Sequence, residues 1–197
     1  MSKRIFDLFF SGLGLLMLAP VFMLIAVAIK VDSRGPVFFR QERIGRGGVP
    51  FFIHKFRTML VDAESRGLQL TTGNDARITR TGKWLRKYKL DELAQLIDVF
   101  QGTMSLVGPR PEVPKYVALY SESDKAVVLS VRPGITDFAS IEFKDENDML
   151  SASENPERTY VEEILPIKIR YCRKYVQSQS VWMDFVLILR TLRAIAK

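Results

Sequence analysis

The chain has 197 residues, 47% of them hydrophobic, which suits one domain with a buried core and excludes a disordered tail or a disulfide-stapled mini-scaffold. Lysine and arginine outnumber aspartate and glutamate by 29 to 22, a formal net charge of +7, and His54 and Cys172 are the only residues of their kinds. No internal disulfide can form, a Cys/His zinc cage or Cys–His dyad would have only those two residues to draw on, and chemistry must use carboxylates, lysine, arginine and hydroxyls.

The first element is a greasy N-terminus: within residues 5–29, 20 of 25 residues are hydrophobic. About 20 apolar residues suffice to cross a bilayer as a helix, so a spanning anchor is one reading. A secretory signal is a second, with Lys3-Arg4 as its basic start and Ala26-Val27-Ala28 as a small-x-small cleavage pattern. Against it stand Asp7 inside the run and an apolar length beyond the usual ~7–15 residues. The third reading is a re-entrant hairpin. Pro20 lacks an N–H, the Leu16 carbonyl loses its helical partner, and the helix should break or kink there. Lys3 and Arg4 precede the segment and Lys30 and Arg34 follow it, so the positive-inside rule orients no single span. A bend at Pro20 would put both basic flanks on the cytoplasmic face.

Residues 30–197 contain no repeat or low-complexity linker and form one body with banded charge. Residues 30–57 carry seven basic and two acidic residues, residues 77–90 six and none, residues 142–163 two and eight, and residues 168–197 seven and one. The basic bands face either solvent or anionic groups such as phosphates and headgroups. Residues 37–44 and 51–59 are aromatic and β-branched runs joined by Gly45–Pro50, which predicts a β-hairpin. The spacing of Trp84, Leu85, Tyr88, Leu93, Leu96, Ile97 and Phe100 predicts a helix from Thr81 to Phe100, interrupted near Lys89-Leu90 and stopped at Gly102. Further helices are expected at 112–130 and 157–176, separated by an irregular acidic stretch. Val181 to Ala196 aligns Trp182, Phe185, Leu189 and Leu192 beside Arg190, Arg193 and Lys197, which fits either an interfacial amphipathic helix or a core-packing one.

Asp91-Glu92 directly follows the basic run Arg77, Arg80, Lys83, Arg86, Lys87 and Lys89. Neighbours on a helix project about 100° apart, so the two carboxylates can divide roles between nucleophile and metal or proton partner, but cannot share one proton. The surrounding cations are expected to lower the pKa of Asp91 and keep it ionised at neutral pH. A bland alternative is an acidic pair complementing a helix N-terminus. Arg110, boxed in Gly108-Pro109-Arg110-Pro111, and Arg132 in Arg132-Pro133-Gly134 sit before prolines on stiffened, extended backbone, a presentation that suits bidentate contact with phosphate oxygens. With Lys55 and Arg57 they suggest a site for a pyrophosphate and a divalent metal.

Four strings in order, Lys55-Phe56-Arg57-Thr58-Met59, then Leu85-Arg86-Lys87-Tyr88-Lys89-Leu90-Asp91-Glu92-Leu93-Ala94-Gln95-Leu96, then Met104-Ser105-Leu106-Val107-Gly108-Pro109-Arg110-Pro111-Glu112, then Arg132-Pro133-Gly134-Ile135-Thr136, resemble the bacterial sugar transferases, the monotopic polyprenyl-phosphate phosphoglycosyl transferases, in their minimal catalytic form. The resemblance implies an α+β fold in which a re-entrant membrane helix-break-helix at 1–30, bent at Ala19-Pro20, packs with a small, mostly helical cytosolic domain at 31–197 containing the β-hairpin and interfacial amphipathic helices. It implies transfer of a sugar-1-phosphate from a UDP-sugar to undecaprenyl phosphate with Mg²⁺ and release of UMP, at the cytoplasmic face of a bacterial inner membrane among phospholipids and without nucleic acid. Asp91 would be the nucleophile, giving an aspartyl phosphosugar. Glu92 would assist metal binding or proton handling, with both carboxylates as metal ligands, and Lys55, Arg57, Arg86, Arg110 and Arg132 would hold phosphates. Such an enzyme starts the membrane stage of O-antigen, capsule, exopolysaccharide or glycoprotein glycan synthesis. The alternatives are a membrane-tethered nucleotide-sugar pyrophosphatase and a non-catalytic protein binding anionic lipid. A homodimer is compatible with the sequence, although no heptad argues for one. Three positions depart from the family's common pattern: Ala19 where Ser is usual, Ala94 where Pro is, and Asp137 where Gly is. The last lies in a region expected to touch the sugar.

Overall fold

The computed structural model describes residues 2–61 and 75–195. The first helix, α1 (Ser2–Asp32), is continuous, with Pro20 inside it. The helical run is unbroken at the proline, so a bend there takes the form of a kink within α1 and not of a non-helical gap.

One stripe of α1 docks on the rest of the chain. At its start, Lys3 Nζ donates to Val107 O at 2.9 Å and pairs with the fully buried Asp184. Arg4 donates to the carbonyls of Val99 and Phe100. Asp7, the acid that looked misplaced in an apolar run, is buried and accepts from Ser105 Oγ and Leu106 N, both at 3.0 Å. At its end, Ile25 and Ile29 pack with Phe56, Leu85 and Ala94, and Asp32 accepts from Thr81 N at 2.7 Å. Between these anchors Leu16, Met17, Ala19, Pro20 and Val21 are exposed, so both ends are tied to one body and the proline lies on the least covered stretch.

The hairpin forms as expected: β1 (Phe38–Ile44) and β2 (Pro50–Phe56) run antiparallel, with Phe38 opposite Phe56 and Ile44 opposite Pro50. Its turn is fastened, because Gly47 N donates to Leu129 O at 2.8 Å and Arg46 Nε to Ser130 O at 3.0 Å. The periodic segment that follows divides as its sequence indicates. α2 (Arg80–Lys87) ends before Lys89, a 3₁₀ turn spans Leu90–Gln95, and α3 (Leu96–Gln101) stops at Gly102, whose φ of 94° makes it a left-handed C-cap.

Two short parallel strands, β3 (Ser105–Val107) and β4 (Gly134–Thr136), bring the two Arg-Pro loops side by side. The approach demands glycine: a Cβ on Gly134 would lie 2.0 Å from the backbone N of Gly108. The helix expected at 112–130 is two, α4 (Pro114–Val117) and α5 (Glu122–Val128), because the Ser121 side chain caps α5 by accepting from Asp124 N. The acidic stretch holds α6 (Phe138–Glu142) and α7 (Glu146–Ser151). α8 (Pro156–Thr159) runs through a π turn at Tyr160–Ile164 into α9 (Leu165–Ser178). The last helix, α10 (Val181–Ile195), packs one face into the body. Asp184 and Leu187 are buried in the body, while Trp182, Phe185, Leu189 and Leu192 remain exposed; Lys197 lies outside the described residues. The architecture is thus α+β: mostly helical, with two small sheets and one long apolar helix.

Candidate active site

The carboxylate pair sits at a deliberate discontinuity. Lys89 has φ 54°, the one positive φ of a non-glycine residue among those described, and this left-handed residue costs roughly 1 kcal/mol as it turns the chain out of α2. Asp91 and Glu92 then fall in the first turn of the 3₁₀ segment. Leu85, Ala94 and Phe56, buried with Ile25 and Ile29 of α1, fix this turn against β2 and the end of α1.

Glu92 is gripped by two cations. Lys55 Nζ donates to its Oε1 at 3.1 Å, Arg110 Nη1 donates to its Oε2 at 2.9 Å, and Arg110 Nη2 also reaches Oε1. Burial alone would raise the Glu92 pKa, but Arg110 and Lys55 outweigh it and hold the carboxyl well below its usual range. Reciprocally, Glu92 raises the pKa of Arg110, while burial lowers that of Lys55 despite Glu92.

Asp91 is the opposite case. It is 8% exposed, and its carboxylate makes no hydrogen bond with any described residue. Burial and then the charge of Glu92 push its pKa up, and Lys55, Arg86 and Lys89 pull it back without prevailing. This corrects the expectation that the neighbouring cations would leave it below the ordinary aspartate value: burial and the adjacent Glu92 charge outweigh their attraction.

Of the five cations singled out in the sequence, the structure brings three to the pair. Lys55 and Arg110 hold Glu92, and Arg86, whose Nε donates to Thr58 Oγ1 at 2.9 Å, contributes attraction to Asp91. Arg57 is turned elsewhere, its guanidinium donating to the carbonyls of Ser33 and Arg34 where α1 ends. Arg132 donates its Nε to Gly102 O at 2.8 Å. Ala19 and Pro20 are exposed in mid-helix, far along the chain from the carboxylates.

A second polar cluster, which sequence reasoning missed, supports Arg110 from behind. Arg110 N donates to Asp137 Oδ2 at 3.3 Å, and Arg43 Nη1 donates to Pro111 O at 3.0 Å. Glu112 accepts from Tyr160 Oη at 2.5 Å and lies 3.5 Å from Lys168 Nζ, which in turn pairs with Glu146 at 2.6 Å. Tyr160 opens the π turn, a distortion that often marks functional helices. Asp137 is fully buried and caps α6 by accepting from Ser140 N at 2.7 Å, so it braces the Arg110 loop. These residues come from widely separated parts of the chain, and only Arg43, a charge on an inward position of β1, left a local signal.

Among the described residues, no three His, Cys, Asp or Glu group into a metal cage. A Mg²⁺ ion typically takes one or two carboxylates and completes its octahedron with substrate phosphate oxygens and water. Asp91, a carboxylate with no hydrogen-bonded partner, fits that mode, while both oxygens of Glu92 are engaged with cations. The arrangement is therefore a nucleophile-capable carboxylate beside a cation pair that can hold phosphate.

The chain matches the family described as bacterial sugar transferase over residues 1–197. It is 37% identical over 193 residues to a UDP-glucose:undecaprenyl-phosphate glucose-1-phosphate transferase of Klebsiella pneumoniae, covering 96% of this chain and 39% of the relative. It is 34% identical over 195 residues to a UDP-N-acetylgalactosamine-undecaprenyl-phosphate N-acetylgalactosaminephosphotransferase of Aeromonas hydrophila, covering 98% and 43%. It is also 33% identical over 214 residues to the exopolysaccharide production protein ExoY of Rhizobium meliloti, covering 99% and 85%. The chain spans about two fifths of the length of the first two of these relatives. With a match over its whole length, the chain belongs to the bacterial sugar transferase family.

Proposed function

We propose that this protein is a phosphoglycosyl transferase that moves a sugar-1-phosphate from a UDP-sugar to undecaprenyl phosphate through an aspartyl phosphosugar, releasing UMP. The observation that carries the reading is the division between two adjacent carboxylates, Asp91 without a hydrogen-bonded partner and Glu92 held by Lys55 and Arg110. Relatives named for the same donor and acceptor classes support it, although the sugars in their names differ between glucose and N-acetylgalactosamine.

In the first step an Asp91 oxygen attacks the sugar-bearing phosphorus, the bond to the bridging oxygen breaks, and UMP leaves with the electron pair. In the second, a phosphate oxygen of undecaprenyl phosphate attacks the same phosphorus and the Asp91 carboxylate departs, leaving a lipid-linked diphosphate sugar. The acyl phosphate conserves the reactivity of the cleaved diphosphate, so no further energy source is needed. Lys55, Arg86 and Arg110 neutralise the phosphates as anionic reactants approach. Asp91 would hold Mg²⁺, whose chemistry there would be charge neutralisation at the diphosphate.

The membrane segment of residues 1–30 enters and leaves the cytoplasmic face of the inner membrane, with Pro20 deepest, and seats the catalytic body of residues 31–197 in the headgroup layer. Support for this path comes from the docking of both ends of α1 on one body and the exposure of its apolar middle.

A UMP-release assay over a panel of UDP-sugars, with and without undecaprenyl phosphate, tests the reading. UMP formation that needs the lipid for turnover, with a phosphosugar adduct on Asp91 by mass spectrometry, is the expected result. Full-rate UMP release without lipid would identify a pyrophosphatase, and no release with any UDP-sugar would overturn the transferase.

A further inference from the structure

Lys55 and Arg110 present three N–H groups to one carboxylate, with Arg110 engaging both oxygens of Glu92 in a fork. That geometry is the one a guanidinium and an ammonium offer to a phosphate, whose oxygens are spaced much like those of a carboxylate. Two positive charges here meet one negative charge, so the seat is better matched by a phosphate dianion than by the carboxylate now in it. The seat is also reachable from solvent: the side chains of Arg110, Lys55 and Glu92 are 31%, 18% and 18% exposed. The neighbouring Arg43–Glu112 pair, by comparison, is 17% and 9% exposed, and Glu112 is further tied to Tyr160 and Lys168.

We infer that Lys55 and Arg110 form a phosphate seat that Glu92 occupies as an internal stand-in when no substrate is bound, and that a diphosphate must displace the Glu92 carboxylate to bind. The inference rests on the transferase reading for the identity of its ligand, but not for the geometry of the seat. It gives Glu92 two positions with separate purposes. In the first it keeps two partly buried cations paired, avoiding the cost of leaving them uncompensated. In the second, released by substrate phosphate, its oxygens become free beside Asp91, which makes both members of the pair available as oxygen donors only after substrate has arrived.

The test is calorimetric titration of inorganic pyrophosphate into the full chain in detergent with EDTA present. Glu92→Gln removes the competing charge and should tighten pyrophosphate binding about tenfold or more, since close charge pairs couple by ~1.5 kcal/mol and upward. Glu92→Asp keeps the charge but shortens its reach, and should give an intermediate gain, so that it decides the matter if the glutamine variant fails to fold. Adding Lys55→Met to either variant should abolish the gain. Affinity in both Glu92 variants equal to or weaker than that of the unaltered protein, or a gain that survives loss of Lys55, overturns the inference. Tighter pyrophosphate binding with no turnover of any UDP-sugar would sink the transferase while leaving the seat standing. Turnover with unchanged pyrophosphate affinity would do the reverse.

Discussion

Asp91 and Glu92 are adjacent in the chain, yet their surroundings drive their carboxyls in opposite directions. Burial and the charge of Glu92 raise the pKa of Asp91, while Arg110 and Lys55 hold that of Glu92 well below the ordinary value. The nucleophilic role requires the ionised form of Asp91, so activity should fall as pH drops through its raised pKa, earlier than an ordinary aspartate near 3.8 would allow. Glu92→Gln deletes the like charge and frees two cations to attract Asp91. Its residual kcat/KM profile should therefore show the acid limb moved to lower pH. A limb that stays in place or moves up would mean that the neighbouring charges do not set the titration of Asp91.

Asp91→Asn should abolish UMP release by about 10⁴-fold or more, as removal of a covalent nucleophile does elsewhere. The same substitution should stabilise the fold. A group whose folded pKa is raised contributes its stability below its unfolded pKa and loses it as pH rises through the folded one, so ionised Asp91 weakens the fold at neutral pH. Asparagine keeps the shape without the charge. Thermal unfolding in detergent should show a higher Tm for the variant at pH 7 and a difference that vanishes below about pH 4. Equal Tm values at pH 7 would contradict the buried, unsupported character of this carboxylate.

The local features of the site were legible because they are written in consecutive residues. The interruption near Lys89-Leu90 appears as the left-handed Lys89, and the hairpin has the strands its two aromatic runs predict. Arg57 lies apart from the cluster around Glu92 although it is two positions from Lys55, because positions two apart share a face only while a strand lasts. β2 ends at Phe56, so Arg57 turns toward the end of α1 and binds the carbonyls of Ser33 and Arg34. The cluster of Arg43, Glu112, Tyr160 and Lys168 was illegible for another reason: its members meet only through the packing of β1, the Arg110 loop and α9, and no spacing rule links them. Long-range pairs of this sort also explain Asp7, which completes the backbone bonding of β3.

Lys3 couples the start of α1 to the Arg110 loop, because its ammonium binds both Asp184 and the carbonyl of Val107, three residues before Arg110. Lys3→Met leaves Asp184 buried with only Tyr175 as a bonded partner. Breaking a buried pair in this way costs roughly 3–5 kcal/mol, and each kcal/mol lowers Tm by about 2–4 °C in a protein of this size. The variant should therefore melt roughly 6–20 °C lower in detergent. The double variant Lys3→Met/Asp184→Asn, which removes the orphaned charge, should recover part of that loss. A single variant that melts like the unaltered protein would show that this end of α1 is not fastened by the pair.

The path of α1 through the membrane makes the sharpest prediction, because a crossing and a re-entrant hairpin place the same two residues on opposite sides or on one. A straight 31-residue helix is about 46 Å long, beyond the ~30 Å hydrocarbon core, so its length alone permits a crossing. Its polar contacts argue otherwise, since Lys3 and Asp32 bond to the same body at Asp184 and Thr81. Single cysteines at Ser2 and Arg34, in a chain with Cys172→Ala, should both react with a membrane-impermeant maleimide in inverted inner-membrane vesicles and both resist it in intact spheroplasts. The buried Cys172 sits in the core beside Tyr120 and Val128, and replacing it by alanine removes a background thiol at the cost of a small cavity. Labelling of Ser2→Cys from the outside of spheroplasts, with Arg34→Cys reacting only in inverted vesicles, would establish a crossing. It would also require Lys3 to leave Asp184, a fully buried carboxylate, without its counter-ion, and the electrostatic cost of that is the physical reason to expect the hairpin.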